Sequence, residues 1–241
     1  MKDTLIVIPT YNEIDNIGLL IHDIFRIAEE VDILVVDDDS PDNTSALVTD
    51  LQNKFIGKLF LLIRKSKIGL GKAYIDGFKW ALKKSYEFII EMDADYSHNP
   101  KDLIDLHKVC KNNDYDIIVG SRYINGINVV NWPFSRILLS YIASFYVRII
   151  TNMPVKDPTS GFVCYKRSVL ESLNLNQIKF VGYAFQIEMK YKAFNKNYKI
   201  KEIPIIFTDR VRGASKLTKG IIAEAVFGVL LMRFKKILGK L

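Results

Sequence analysis

Two aspartates one residue apart, Asp93 and Asp95, close the apolar run Tyr86-Glu-Phe-Ile-Ile-Glu-Met-Asp-Ala-Asp95. If the chain stays extended there, residues at a spacing of two point to one side, and both carboxylates can face one ligand. Held close, two acids repel, and each keeps a proton unless a cation lies between them or they face open water. A hard divalent ion such as Mg2+ or Mn2+, which takes oxygen ligands and bridges to substrate phosphates, would remove that conflict. A solvated strand end would fit the same two residues.

Other segments carry chemistry of the same kind. Ile33 to Val36 runs into Asp37-Asp-Asp-Ser-Pro-Asp-Asn-Thr44, and consecutive acids at a strand end are costly unless they serve a ligand. Ser40 and Asp42 could equally cap the next helix. Arg64-Lys-Ser-Lys-Ile-Gly-Leu-Gly-Lys72 is a basic loop opening a helix, where backbone amides favour an anion. Tyr74 stands where the dinucleotide fingerprint would want a third glycine, and the loop does not match a P-loop. Thr208-Asp-Arg-Val-Arg-Gly-Ala-Ser-Lys216 gathers cations around one glycine, as a loop closing over a diphosphate would, or as a solvated turn would.

The elements that must position these residues alternate. Thr4 to Ile8, Ile33 to Val36, Leu59 to Ile63, Tyr86 to Met92 and Asp116 to Val119 read as buried strands, each but the last followed by a helical pattern. Pro9 is expected to end the first strand, with Asn12 or Asp15 capping a helix whose apolar face is Ile17, Leu20, Ile21, Ile24 and Ala28. Such alternation predicts a mainly parallel, Rossmann-like α/β sheet with helices on both faces. Ligands bind at the carboxyl ends of such strands, where Glu13, Asp38, Asp93, Asp95 and Arg122 fall. Beyond Lys156-Asp-Pro-Thr-Ser-Gly-Phe162 the pattern gives a short strand at 163–165, a helix near 185–195 and a strand over 199–207 broken at Pro204. Residues 135–150 form an aromatic, apolar helix broken only by Arg136 and Arg148, suited to a core or to a membrane interface. The division expected is a catalytic domain over 1–217 and an amphipathic, basic helix over 218–241.

With 241 residues, 49% hydrophobic and 25% charged, the chain can bury a full α/β core without disulfides. Cys110 and Cys164 are far apart and form no Cys-x-x-Cys pair, the pattern of idle thiols in a reducing compartment. The start of the chain does not read as a signal peptide, and no uninterrupted apolar run reaches the length of a bilayer span. A net charge of +7 calls for anionic partners. No helix-turn-helix or basic-aromatic motif supports nucleic acid, so phosphorylated substrates and an anionic membrane surface remain.

Pro9-Thr-Tyr-Asn-Glu13, Val36 to Asp42, Asp93-Ala-Asp95, Gly120-Ser-Arg-Tyr123, Asn131-Trp-Pro-Phe134, Ser160-Gly-Phe162 and Arg210 through Lys216 occur in the order found in one family. Over nearly its whole length the chain resembles the polyprenol-phosphate glycosyltransferases of the GT-A fold, family 2, and within them the dolichol- and polyprenol-phosphate mannose synthases without transmembrane helices. The resemblance implies transfer of mannose from GDP-mannose to dolichyl or polyprenyl phosphate, with inversion, using Mg2+ or Mn2+. It implies a donor site at Pro9, Tyr11, Glu13, Val36, Asp38, Asp93, Ala94, Asp95, Arg122, Arg210 and Lys216, with Tyr11 stacking on the base. It places the metal on Asp93 and Asp95, the acceptor phosphate on Arg122, Arg136 and Ser140, and the catalytic burden on Asp95, Arg122 and Arg136. Ser97 stands where some relatives have a metal-binding glutamine. A peripheral position on the cytoplasmic face of a membrane is implied, with or without a separate membrane-anchoring subunit. Transfer of glucose from UDP-glucose, and a non-catalytic nucleotide-sugar or membrane-binding module, are the alternatives.

Overall fold

The computed structural model describes residues 1–112, 114–210 and 219–239, without the side chains of 219 and 221–223. The first half alternates β1 (Thr4–Thr10), α1 (Ile14–Ile27), β2 (Asp32–Asp37), α2 (Thr44–Gln52), β3 (Leu59–Ile63), α3 (Leu70–Leu82), β4 (Phe88–Glu91), α4 (Asp102–Lys111) and β5 (Ile117–Ser121). Then follow β6 (Val129–Val130), α5 (Phe134–Thr151), β7 (Val163–Lys166), α6 (Arg167–Ser172), α7 (Tyr183–Asn195), β8 (Ile200–Pro204), β9 (Phe207–Thr208) and α8 (Lys219–Ile237).

Alternation of side chains along the strands builds two layers of core. On β1, Ile6 and Ile8 join Ile17, Leu20 and Leu103 on one face of the sheet, whereas Leu5 and Val7 join Tyr74, Phe78 and Phe185 on the other. Helix α3 lies so close to β1 that a Cβ on Gly77 would come within 2.5 Å of Val7 Cγ1, so only glycine fits there. A third cluster, with Val147 of α5, Ile187 and Tyr191 of α7, and Val229 and Met232 of α8, joins the last helix to the body.

The sheet order is β3-β2-β1-β4-β7-β5-β8. All pairs are parallel except those of β7, which runs antiparallel between β4 and β5. A parallel sheet with one reversed strand agrees with the GT-A expectation.

Three local expectations are corrected. Pro9 does not end β1: it pairs with Val36, and β4 accompanies β1 only as far as Val7, so the strand has lost one neighbour where the missing N–H falls. Neither Asn12 nor Asp15 caps α1; its start is held from outside, Asp42 accepting from the Ile14 N–H at 3.1 Å and Thr44 Oγ from the Glu13 N–H at 3.1 Å. Asp93 and Asp95 are not strand residues, since β4 stops at Glu91. A turn in which Asp95 Oδ1 accepts the Ser97 N–H, with Tyr96 at φ 60°, brings the two acids together in place of the strand pleat.

Candidate active site

The acids that close β2 divide their tasks. Asp37 is wholly buried and accepts from Thr10 Oγ at 2.7 Å and from both the amide and hydroxyl of Ser40, so it shapes the turn. Asp42 caps α2 through the Thr44 amide and hydroxyl. Asp38 is left facing the carboxyl edge, paired at 2.5 Å with Arg64, whose Nε also reaches Asp76 at 3.0 Å. Burial nonetheless pushes the Asp38 carboxyl above its ordinary range, against the pull of Arg64. Pro9 and Val36 flank this corner as paired residues of β1 and β2. Glu13 is buried and accepts from Asn16 Nδ2 at 2.9 Å. Tyr11 has the Lys67 ammonium over its ring at 3.9 Å from the centroid, so a cation covers the face expected to stack on a base.

Asp93 accepts from the Tyr74 hydroxyl at 3.2 Å, and its own amide donates to His98 Nδ1 at 3.4 Å. Burial, reinforced by the neighbouring Asp95, pushes the Asp93 carboxyl up to about 7. Burial holds His98 down at about 4, consistent with a neutral ring that accepts at Nδ1 and stacks on Phe162 at 4.7 Å. Arg210 reaches Asp95 Oδ2 at 3.0 Å. Two acids whose mutual repulsion shows in the raised Asp93 fit the chemistry of a divalent cation, which Asp93 and Asp95 would hold through their carboxylates. Among the described residues no third acid, histidine or cysteine completes a cluster with them. Ala94 is buried between the two, and Ser97 is buried with no hydrogen-bond partner for its hydroxyl among the described residues.

Across β7 lies a cationic half. Arg122, at the end of β5, makes a two-pronged ion pair with Asp157, Nε to Oδ2 at 2.7 Å and Nη2 to Oδ1 at 2.6 Å, and its Nη2 also donates to Thr159 Oγ1. Burial would raise the Asp157 carboxyl, but Arg122 and the Arg122 amide more than reverse this and leave it lowered. Arg136 donates to both oxygens of Asp209 at 2.9 Å and lies over the Trp132 ring at 4.1 Å. Ser140, one turn along α5, accepts from the Tyr123 hydroxyl at 2.7 Å. The β6 and β9 pair sets Asp209 and Arg210 side by side, one bound to Arg136 and the next to Asp95. Lys216 lies outside the described residues.

Sequence reasoning did not assign Asp157, Asp209 or Arg64 as counter-ions, nor the buried polar group behind them. Lys190 is wholly buried, and its ammonium donates to the Ser160 carbonyl at 2.8 Å and to Gln186 Oε1 at 3.2 Å, tethering the loop that carries Asp157. Glu202 fastens the same loop by accepting the amides of Lys156 and Asp157. Glu91, wholly buried near Gln186, is pushed up to about 8 by burial, and Lys190 down to about 8 by the same cause.

Comparison with known proteins places the chain in a family. Residues 5–173 match the model of glycosyl transferase family 2. The chain is 41% identical over 226 residues to polyprenol monophosphomannose synthase of Mycolicibacterium smegmatis, covering 94% of this chain and 85% of that protein. It is 39% identical over 225 residues to undecaprenyl-phosphate mannosyltransferase of Micrococcus luteus, covering 93% and 91%. In fold it is similar to glucosyl-3-phosphoglycerate synthase from Mycobacterium tuberculosis, solved with Mn2+, UDP-glucose and phosphoglyceric acid, with a TM-score of 0.68 at 18% identity over 95% of this chain and 79% of the other. The family match over residues 5–173 and the identity to both relatives over more than nine-tenths of the chain lead to one conclusion: the chain belongs to glycosyl transferase family 2.

Proposed function

We propose that this protein transfers mannose from GDP-mannose to a polyprenyl phosphate, with inversion. The observation that carries the reading is the step from Asp209 to Arg210, which joins the acceptor-side Arg136 to the donor-side Asp95 through adjacent residues. An acceptor phosphate is ionised at neutral pH, so its oxygen can attack the anomeric carbon without a strong general base. As that bond forms, the bond from the sugar to the diphosphate breaks and GDP leaves, giving a β-linked mannosyl phosphate. The difficulty is bringing two anions together. Arg122 and Arg136, already aligned by Asp157 and Asp209, present guanidinium donors to the acceptor phosphate, and Arg210 faces the leaving diphosphate. Bound at Asp93 and Asp95, Mg2+ or Mn2+ would supply charge neutralisation for that leaving group.

A membrane surface suits the acceptor. Among the described residues α5 alone has the length and hydropathy of a membrane-crossing helix, with mean hydropathy 1.2, and 17% of it is buried. Its polar stripe is docked through Arg136 and Ser140, which turns Phe134, Leu138, Tyr141, Ile142, Phe145 and Ile149 outward. Helix α8 packs beside it and exposes Phe227, Leu230, Leu231, Phe234 and Ile237. Two helices lying in the interface, apolar faces in the acyl boundary, would hold the site at the headgroup level on the cytoplasmic side.

The test is a donor panel with short polyprenyl phosphate, Mg2+ and labelled nucleotide sugars. Labelled lipid from GDP-mannose and little from UDP-glucose is the expected result; the reverse order reassigns the sugar, and no product from any donor leaves a binding module. Arg136→Ala should raise the KM for the acceptor about tenfold or more with the donor KM nearly unchanged. Because Asp93 must give up its proton to take a metal, Mn2+ affinity measured by calorimetry should be flat above about pH 7. Below that it should weaken by about tenfold per pH unit.

A further inference from the structure

Helix α5 carries a second polar feature beyond the proposed acceptor site. Arg136, Ser140, Ser144 and Arg148 recur every fourth residue and so lie along one stripe of the helix. The first two already have partners in Asp209 and Tyr123. Ser144 and Arg148 open instead on a separate cleft of about 90 Å3, lined also by Tyr123, Tyr141, Phe145 and Lys156. That is room for one tetrahedral anion or a few waters.

Three observations indicate what would enter it. Ser144 is 2% exposed, and its hydroxyl is buried with no hydrogen-bond partner among the described residues, an unmet demand at the wall of the cleft. Arg148 is exposed and, among the described residues, has no ionic or hydrogen-bonding partner, unlike Arg122 and Arg136 with their aspartates. Lys156 adds a second ammonium that, among the described residues, donates to the Ile124 carbonyl at 3.1 Å and to no carboxylate. Uncompensated positive charge on this side of α5 therefore gathers at the second cleft. The helix dipole works against an anion there, because the carbonyl end of α5 is near, so the side chains must carry the binding.

The geometry points to a second phosphate subsite, formed by Ser144, Arg148 and Lys156, for the anionic phosphate headgroup of a membrane lipid. Tyr141 and Phe145, 49% and 56% exposed at its rim, belong to the outward apolar face and would meet the acyl chains of the same lipid. Tyr123 lines this cleft and bonds Ser140, so the two subsites share a wall. A bilayer lipid seated here would fix the rotation of α5 on the membrane and so the height of Arg136 above it. The inference rests on the interfacial reading of α5, but its test does not depend on catalysis.

Sedimentation of the full chain with vesicles, without donor, measures it directly. With phosphatidylglycerol in phosphatidylcholine vesicles, Arg148→Gln should weaken binding about fivefold. Ser144→Ala, which changes no charge, should weaken it about threefold. Binding to vesicles of phosphatidylcholine alone should be unchanged in both, as should turnover of a short detergent-dispersed acceptor by Arg148→Gln. Lys235→Gln, on α8, removes the same charge elsewhere. If it weakens binding as much as Arg148→Gln while Ser144→Ala has no effect, the attraction is general and the subsite is refuted. Inorganic phosphate supplies the other arm: a phosphate-induced rise in Tm that both cleft variants lose, with vesicle binding untouched, would assign the cleft to free phosphate and overturn the headgroup. Failure of the transfer reaction itself would appear in the donor panel and leave these measurements standing.

Discussion

Asp95→Asn should lower kcat by about two to three orders of magnitude while leaving Tm unchanged or slightly raised. The substitution is nearly isosteric, and the amide oxygen can still accept the Ser97 N–H that shapes the turn. Lost are the ionic partner of Arg210 and one of the two anionic groups suited to a divalent ion. Repulsion on Asp93 falls at the same time, since the charge of Asp95 stands next to burial among the causes of its raised carboxyl. Activity and stability should thus separate, as is common where a site holds like charges against their preference. Labelled-lipid formation from GDP-mannose and a thermal melt on the same preparation check the two halves. A variant within threefold of the parent in kcat would move the diphosphate site away from Asp95.

Asp157→Ala should have the opposite character, a loss of about 3 to 5 kcal/mol in denaturant unfolding together with a weakened acceptor. Asp157 is wholly buried and Arg122 nearly so, and removing the acid strands a guanidinium in a low-dielectric interior. The loop would also lose the carboxylate that accepts the Arg122 amide at 2.9 Å. The double variant Asp157→Ala with Arg122→Met removes both charges and should recover much of the stability without recovering acceptor turnover. Recovery of both would mean that the pair is structural and that the acceptor phosphate is held elsewhere.

Much of this was visible in the sequence, for physical reasons. Buried parallel strands are near-continuous apolar runs, so β1, β2, β4 and β5 are legible, and polar residues that interrupt such runs at their carboxyl ends lie where ligands bind. Asp38, Asp93, Asp95 and Arg122 could be picked out on that ground. Their partners could not. Asp157 meets Arg122 across 35 residues, Asp209 meets Arg136 across 73, and Arg64 meets Asp38 across 26, and a single acid or base in a loop carries no local sign of such a match. Strand β7 has four residues, too few for periodicity to reveal that it enters the sheet reversed. That reversal matters, because a reversed strand brings the loop before it, with Asp157, to the ligand edge, whereas a parallel strand brings the loop after it. The turn that unites Asp93 and Asp95 was hidden behind a pleat that would have given the same proximity.

The placement of β7 also bears on how the chain folds. Strands β3, β2, β1 and β4 come from the first 91 residues and can pair through short parallel crossovers. Strand β5 follows soon after in sequence but has no hydrogen bond to β4, because residues Val163–Lys166 must lie between them. The two halves of the site, acids on one side and arginines on the other, therefore cannot be joined through the sheet until the chain has passed residue 166 and turned back. Loop closure over that separation is slow compared with local pairing, which makes the site a late product of folding and the insertion of β7 its gate.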